Sequence, residues 1–284
     1  MEQGKPSTTA LNAAVQRALH QRVDDEPKIL ADQVVARLVE AAAPGALAAA
    51  LATAQLPGPK GGRATMVVRS RFAEDELADA ARQGVPQYVI LGAGLDTFAY
   101  RQPPYAAALQ IFEVDHPATQ TWKRASLAAA GIPHPANLRY VPVDFGRDTL
   151  AAGLGAAGFD GTRPAACSWL GVTQYLPLPA IDDTLRFVAG LPAPSTIVLT
   201  FIVPEEAVPA EDRERLHQTV QGAARLGEPW VTFFHPDGLR ARLHDLGFAR
   251  VVHLAPAEAN ARYCAARPDG LQAMHLEHFL SATV

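Results

Sequence analysis

Apolar residues along the 284-residue chain change rhythm near residue 85. Before that point the spacing is helical. Thr9 to His20 is rich in alanine and leucine, and Asp32 to Ala43 carries Val34, Val35, Leu38 and Val39 on one stripe before Pro44-Gly45 ends it. Alanine-rich sequence continues to Gln55, and Leu56-Pro57-Gly58-Pro59-Lys60-Gly61-Gly62 reads as a break. A further helix is expected over Thr65 to Gln83, bearing Arg69, Arg71 and the acidic group Glu74-Asp75-Glu76. Residues 1–84 thus read as a helical cap belonging to the same domain as residues 85–284.

From Val85 onward, short apolar runs alternate with helical segments. Val85 to Leu91, Leu109 to Val114, Leu138 to Val143, Ala165 to Leu170 and Ser195 to Val203 have the length and β-branched content of buried parallel strands. Helices are expected at Trp122 to Ala130, Ile181 to Ala189, residues 211–226 and Leu239 to Leu246, and two further strands at Gly247 to Leu254 and His275 to Val284. Strand–helix alternation every 25–30 residues or so predicts an open α/β sheet over residues 85–284.

Bulk composition narrows the function. With 49% hydrophobic and 19% charged residues the chain can bury a large core. Its formal charge of −4, without a long basic run, argues against nucleic-acid binding, which needs concentrated positive charge. No apolar stretch approaches membrane-spanning length, and the first thirty residues lack a secretory apolar core, so a soluble, cytoplasmic protein is expected. Cys167 and Cys264 lie in apolar surroundings and read as buried free thiols.

The sharpest local signal is Tyr88-Val89-Ile90-Leu91-Gly92-Ala93-Gly94-Leu95-Asp96-Thr97. Glycines after a buried strand let a ligand approach the backbone closely. Thr97 stands where a third glycine would complete a dinucleotide fingerprint, and no Gly-Lys-Ser/Thr follows. The next two expected strands end at Asp115 and Asp144. An acid at the first position suits a ribose diol. One at the second, beside Phe145, suits an adenine edge. A nucleoside pocket follows from this set. Either a nicotinamide dinucleotide or S-adenosylmethionine satisfies it, the latter needing a cation for its carboxylate, for which Arg69 and Arg71 are candidates.

At these residues the chain resembles the S-adenosylmethionine-dependent O-methyltransferases of the leucine carboxyl methyltransferase type, especially a bacterial branch associated with polyketides and other secondary metabolites. The similarity rests on Val68-Arg69-Ser70-Arg71-Phe72, the glycine loop, Phe112-Glu113-Val114-Asp115-His116-Pro117, Lys123, Val141-Pro142-Val143-Asp144-Phe145 and Trp169-Leu170-Gly171-Val172-Thr173-Gln174-Tyr175-Leu176-Pro177, in order over residues 66–205. The resemblance implies a class I methyltransferase (Rossmann-like) fold: a seven-stranded, mostly parallel sheet with an antiparallel final strand and a helical N-terminal lid. It also implies that Arg69, with Arg71 in reserve, grips the methionine carboxylate, that Gly92 and Gly94 lie beneath the methionine, and that Asp115 and Asp144 hold ribose and adenine. Leu170 departs from the acidic residue of the protein-carboxyl members, which puts one cofactor contact in doubt and favours a small-molecule acceptor.

The expected chemistry is methyl transfer to a phenolic hydroxyl or carboxylate, with S-adenosylhomocysteine as the other product. A carboxylate needs no strong base, whereas a phenol gains from one. His116, Tyr175 and His235 are candidates, each with a packing or capping role as the alternative. His253, His275 and His278 read as strand or surface residues, Asp182-Asp183 as a helix-start pair, and Trp169 and Phe201 as core. No metal constellation is visible. The competing readings are an NAD-dependent oxidoreductase and a catalytically inactive cofactor-binding module.

Overall fold

The computed structural model describes residues 7–144 and 148–284. Four helices precede the sheet: α1 (Thr8–Val23), α2 (Val35–Ala42), α3 (Ala46–Leu51) and α4 (Pro57–Arg82). The expected break at 56–62 is the start of α4. Proline lacks an N–H that a first helical turn cannot use anyway, so Pro57 opens the helix at its first position. Gly61 serves close packing, since a Cβ there would stand 2.9 Å from Met274 Cγ. Arg63 anchors α4 from within. Fully buried, it donates to both oxygens of Asp24 at 2.8 and 2.7 Å and to the Ala54 carbonyl at 2.8 Å.

The remaining elements are β1 (Gln87–Leu91), β2 (Gln110–Asp115), α5 (Pro117–Ala129), β3 (Leu138–Pro142), α6 (Leu150–Ala156), β4 (Ala165–Trp169), α7 (Leu178–Ala189), β5 (Thr196–Ile202), α8 (Ala210–Arg225), α9 (Pro236–Asp245), β6 (Arg250–Leu254), α10 (Pro256–Tyr263) and β7 (Glu277–Thr283). The strands form one seven-stranded sheet in the order β3-β2-β1-β4-β5-β7-β6, parallel from β1 to β5, with β7 antiparallel to both neighbours. β1 and β4 are buried throughout, as their apolar runs predict, and Cys167 and Cys264 are buried free thiols. Among the described residues, no helix is long and apolar enough to cross a membrane.

Asp182 and Asp183 lie in the second turn of α7, because the helix begins earlier, at Leu178-Pro179. Asp182 is a tertiary anchor that accepts from Arg242 Nε of α9 at 2.6 Å. Chain order runs outward from β1 to β3 on one side and from β4 to β5 on the other. The carboxyl ends of β1 and β4 therefore flank the crevice where open α/β sheets bind ligands.

Candidate active site

A cavity of about 870 Å³ occupies that crevice. The turns after β1, β2, β3 and β4 form its floor, and α1, α4 and α8 supply residues to its walls. Gly92 and Gly94 have φ of 66° and 48°, a left-handed backbone that L side chains avoid. Space adds a second reason: a Cβ at Gly92 would stand 2.5 Å from Val172 Cγ2, and one at Gly94 would stand 2.9 Å from Ala10 Cβ. Both glycines line the cavity, so the loop is a bare cradle beneath it, and the room a Cβ would need is already taken by Val172 and Ala10.

Asp115 ends β2 at the cavity. One carboxylate oxygen accepts from the Gly94 N–H and the other from the His116 N–H at 2.6 Å. Burial raises its pKa from the ordinary value, and the two backbone donors work against that rise. Two N–H groups do not exhaust the roughly four lone-pair sites of a carboxylate, so acceptor capacity remains for a diol. Asp144 lines the cavity just beyond β3, its N–H donating to Asp148 Oδ2 at 3.0 Å. Leu170 and Gly171 bound the cavity beyond β4. Phe145 lies outside the described residues.

The two candidate arginines separate. Arg69 faces the cavity, donating through Nη1 to Glu277. Arg71, two residues on along a 3.6-residue helix, points elsewhere. It is held at 2.7 Å by Asp75, does not line the cavity, and so is withdrawn as a carboxylate ligand. His235 is withdrawn too. It sits before α9 outside the cavity, with a 60% exposed side chain 3.1 Å from Glu206. His116 does line the cavity and also caps α5, its Nδ1 accepting from the Ala118 N–H at 3.2 Å. Tyr175 lines it against Trp230, ring centroids 6.5 Å apart in an edge-to-face arrangement. Burial raises the Tyr175 pKa, which keeps the phenol a hydrogen-bond donor.

Several cavity residues escape sequence reasoning. Glu277 opens β7, Glu228 follows α8, Arg215 lies on α8 and Arg17 on α1. Arg17 is buried and donates to the Leu95 carbonyl at 2.6 Å, tying α1 to the glycine loop. Glu228 Oε2 accepts from Thr9 N at 3.2 Å. None belongs to a local motif; only the fold brings these distant segments to the strand tips. Gln16 Oε1 also lines this space, buried without a hydrogen-bond partner among the described residues, while Gln174 and Trp230 interact with Tyr175. Buried polar atoms left unpaired are costly, so they favour a polar ligand.

The family model of leucine carboxyl methyltransferase matches residues 10–189. The chain belongs to the leucine carboxyl methyltransferase family. Two relatives extend the match. The Frankia alni protein named "Putative S-adenosyl-L-methionine-dependent methyltransferase FRAAL5401" is 34% identical over 279 residues, 96% of this chain and 85% of that one. The Bacillus subtilis protein named "Putative S-adenosyl-L-methionine-dependent methyltransferase YktD" is 33% identical over 222 residues, 77% and 72% of the two chains. A crystal structure of a "putative methyltransferase" from Thermobifida fusca YX shares the fold, with TM-score 0.58 at 20% identity over 99% of this chain and 96% of that one. As a member of this family, the chain is an enzyme that takes S-adenosylmethionine as methyl donor, and the nicotinamide and inactive-module alternatives are set aside. The cradle, the two strand-end acids and the cavity-facing Arg69 fit that donor.

Proposed function

We propose that this methyltransferase acts on an oxygen, phenolic or carboxylate, of a small aromatic acceptor of the polyketide kind, with residues 1–84 as a cap over the donor. The observation carrying this reading is the lining of the cavity. The one cavity is lined both by Gly92, Asp115 and Asp144 and by the mostly apolar and aromatic Tyr175, Leu176, Ile202, Trp230, Val231 and Met274. Its volume lies toward the upper end of the ~300–1,000 Å³ typical of small-molecule sites, enough for donor and acceptor together.

The bound donor supplies an electrophilic methyl group on a sulfonium. The protein contributes position: displacement requires acceptor oxygen, methyl carbon and sulfur in line, and fixing that line supplies much of the rate. Gly92, Gly94 and Asp115 fix the donor side. The Tyr175–Trp230 wall orients an acceptor ring, with the Tyr175 hydroxyl donating to it. A carboxylate acceptor needs no base. For a phenol, the cavity offers two bases to take the proton, Glu228 and His116 through Nε2, Nδ1 being committed to the helix cap.

Incubation with S-adenosylmethionine and a panel of phenols and carboxylic acids tests the reading. The expected result is S-adenosylhomocysteine with one methyl ether or ester. Turnover only with amine or thiol acceptors, or none with either oxygen class, would overturn the assignment to oxygen.

A further inference from the structure

The cavity holds two opposite charges side by side. Arg69 Nη1 lies 3.0 Å from Glu277 Oε1 and 3.2 Å from Oε2, and Glu277 is only 6% exposed. The guanidinium fills the space that a side chain at position 171 would take: a Cβ at Gly171 would stand 2.5 Å from Nη1 and 2.9 Å from Cζ. The ion pair is therefore seated on the turn leaving β4. Leu170, in that same turn, brings no charge. Arg69 engages Glu277 through Nη1 alone, leaving Nε and Nη2 without a protein acceptor among the described residues.

The donor's tail is a zwitterion, with carboxylate and ammonium on one carbon. Arg69 alone would satisfy the carboxylate but leave the ammonium unmatched, and would set an uncompensated cation in a low-dielectric cavity that must also accept a sulfonium. A glutamate in contact with that arginine removes both problems. What distinguishes Glu277 from Asp96, Asp115 and Glu228 in the same cavity is its contact with Arg69; those three accept from the backbone N–H groups of Phe98, of Gly94 and His116, and of Thr9.

We propose that Glu277 is a donor-binding residue. Its carboxylate receives the donor's ammonium while the uncommitted nitrogens of Arg69 receive the carboxylate, so that residues from α4 and β7 form a clamp for the zwitterionic tail. This rests on the donor assignment and assigns Glu277 a part in it. No bond is made or broken, and the acceptor is not involved.

Calorimetric titration with two probes tests the clamp. S-adenosylhomocysteine carries the tail, and 5′-deoxy-5′-methylthioadenosine carries the adenosine without it. Glu277→Gln is expected to weaken S-adenosylhomocysteine binding at least tenfold and to leave methylthioadenosine within twofold, with Glu277→Asp restoring part of the loss. Loss of both ligands in equal measure, as a structural role would give, or of neither, overturns the proposal. If Glu277→Gln does not fold, the wild-type protein decides the matter with the deaminated analogue of S-adenosylhomocysteine, which keeps the carboxylate. Binding at least tenfold weaker than the parent supports the clamp, and equal binding overturns it. A wild-type protein that binds neither probe overturns the donor assignment itself, and the clamp with it.

Discussion

Glu113 and Lys123 form a 2.6 Å ion pair with both side chains almost wholly buried. The pair braces β2 beside the cavity, because Glu113 lies two residues before Asp115 in β2 and Lys123 belongs to α5, which leaves that strand. Lys123 also stands over the Tyr100 ring, 5.6 Å from its centroid. Burial pushes the Glu113 pKa up to about 7, with Lys123 opposing the rise.

Removing the lysine strands a buried acid. Lys123→Met is expected to cost roughly 3–5 kcal/mol, the range for breaking a buried pair from one side. The pH dependence has a definite sign. A carboxyl whose folded pKa exceeds its ordinary value stabilises the fold fully below that ordinary value and loses the contribution as pH rises through about 7. Urea unfolding at pH 5 and pH 8 checks both points: the variant's deficit should be larger at pH 8. An equal deficit at the two pH values would show that Glu113 is not the responsible group.

His253 and His278 carry the opposite dependence. Their rings lie nearly parallel across β6 and β7, centroids 5.1 Å apart, with His253 Nε2 2.8 Å from His278 Nδ1. Burial, then repulsion from His253, pushes the His278 pKa down to about 4. A depressed imidazole stabilises the fold above its ordinary value of about 6.5 and loses that contribution as pH falls toward 4. Replacing His278 by Gln should flatten the decline in urea midpoint between pH 7 and pH 4.5. An unaltered slope would remove the pair from the account of acid sensitivity.

Gly92→Ala tests the cradle. The new methyl meets a left-handed backbone worth ~1–2 kcal/mol of strain and a Val172 methyl 2.5 Å away. The expected outcome is a lower melting temperature and weaker S-adenosylhomocysteine binding, partly restored by adding Val172→Ala. Wild-type donor affinity in a folded Gly92→Ala variant would mean that the ligand does not lie on this loop.

Much of this architecture was legible because its signals are local. Buried parallel strands are short apolar runs, so β1 to β5 fell within a few residues of their expected positions, and the helix spacing before residue 85 marked α1, α2 and the body of α4, while α3 read only as alanine-rich sequence. Gly92, Gly94, Asp115 and Asp144 were legible for the same reason, each standing at a strand end. Local reading failed where tertiary contact decides. The glycine-rich start of α4 looks like a break until Met274 packs on Gly61, and Arg69 and Arg71 differ only in helix face. His235 looks like an active-face residue until α9 carries it outside the cavity. Glu277 and Glu228 have no local signature; antiparallel β7 places one and the loop after α8 the other.

The central claim is that the carboxyl ends of β1 and β2 hold the adenosine of a methyl donor, with Asp115 as ribose acceptor. Calorimetric titration of S-adenosylhomocysteine into wild type and Asp115→Ala tests it most directly, with NAD as the competing ligand. The account predicts one S-adenosylhomocysteine per chain, no NAD binding, and a loss of roughly tenfold or more in the variant, since a hydrogen bond to a charged group contributes ~1.5–3 kcal/mol. Saturable binding of NAD alone, or unchanged S-adenosylhomocysteine affinity in a folded Asp115→Ala protein, would contradict it.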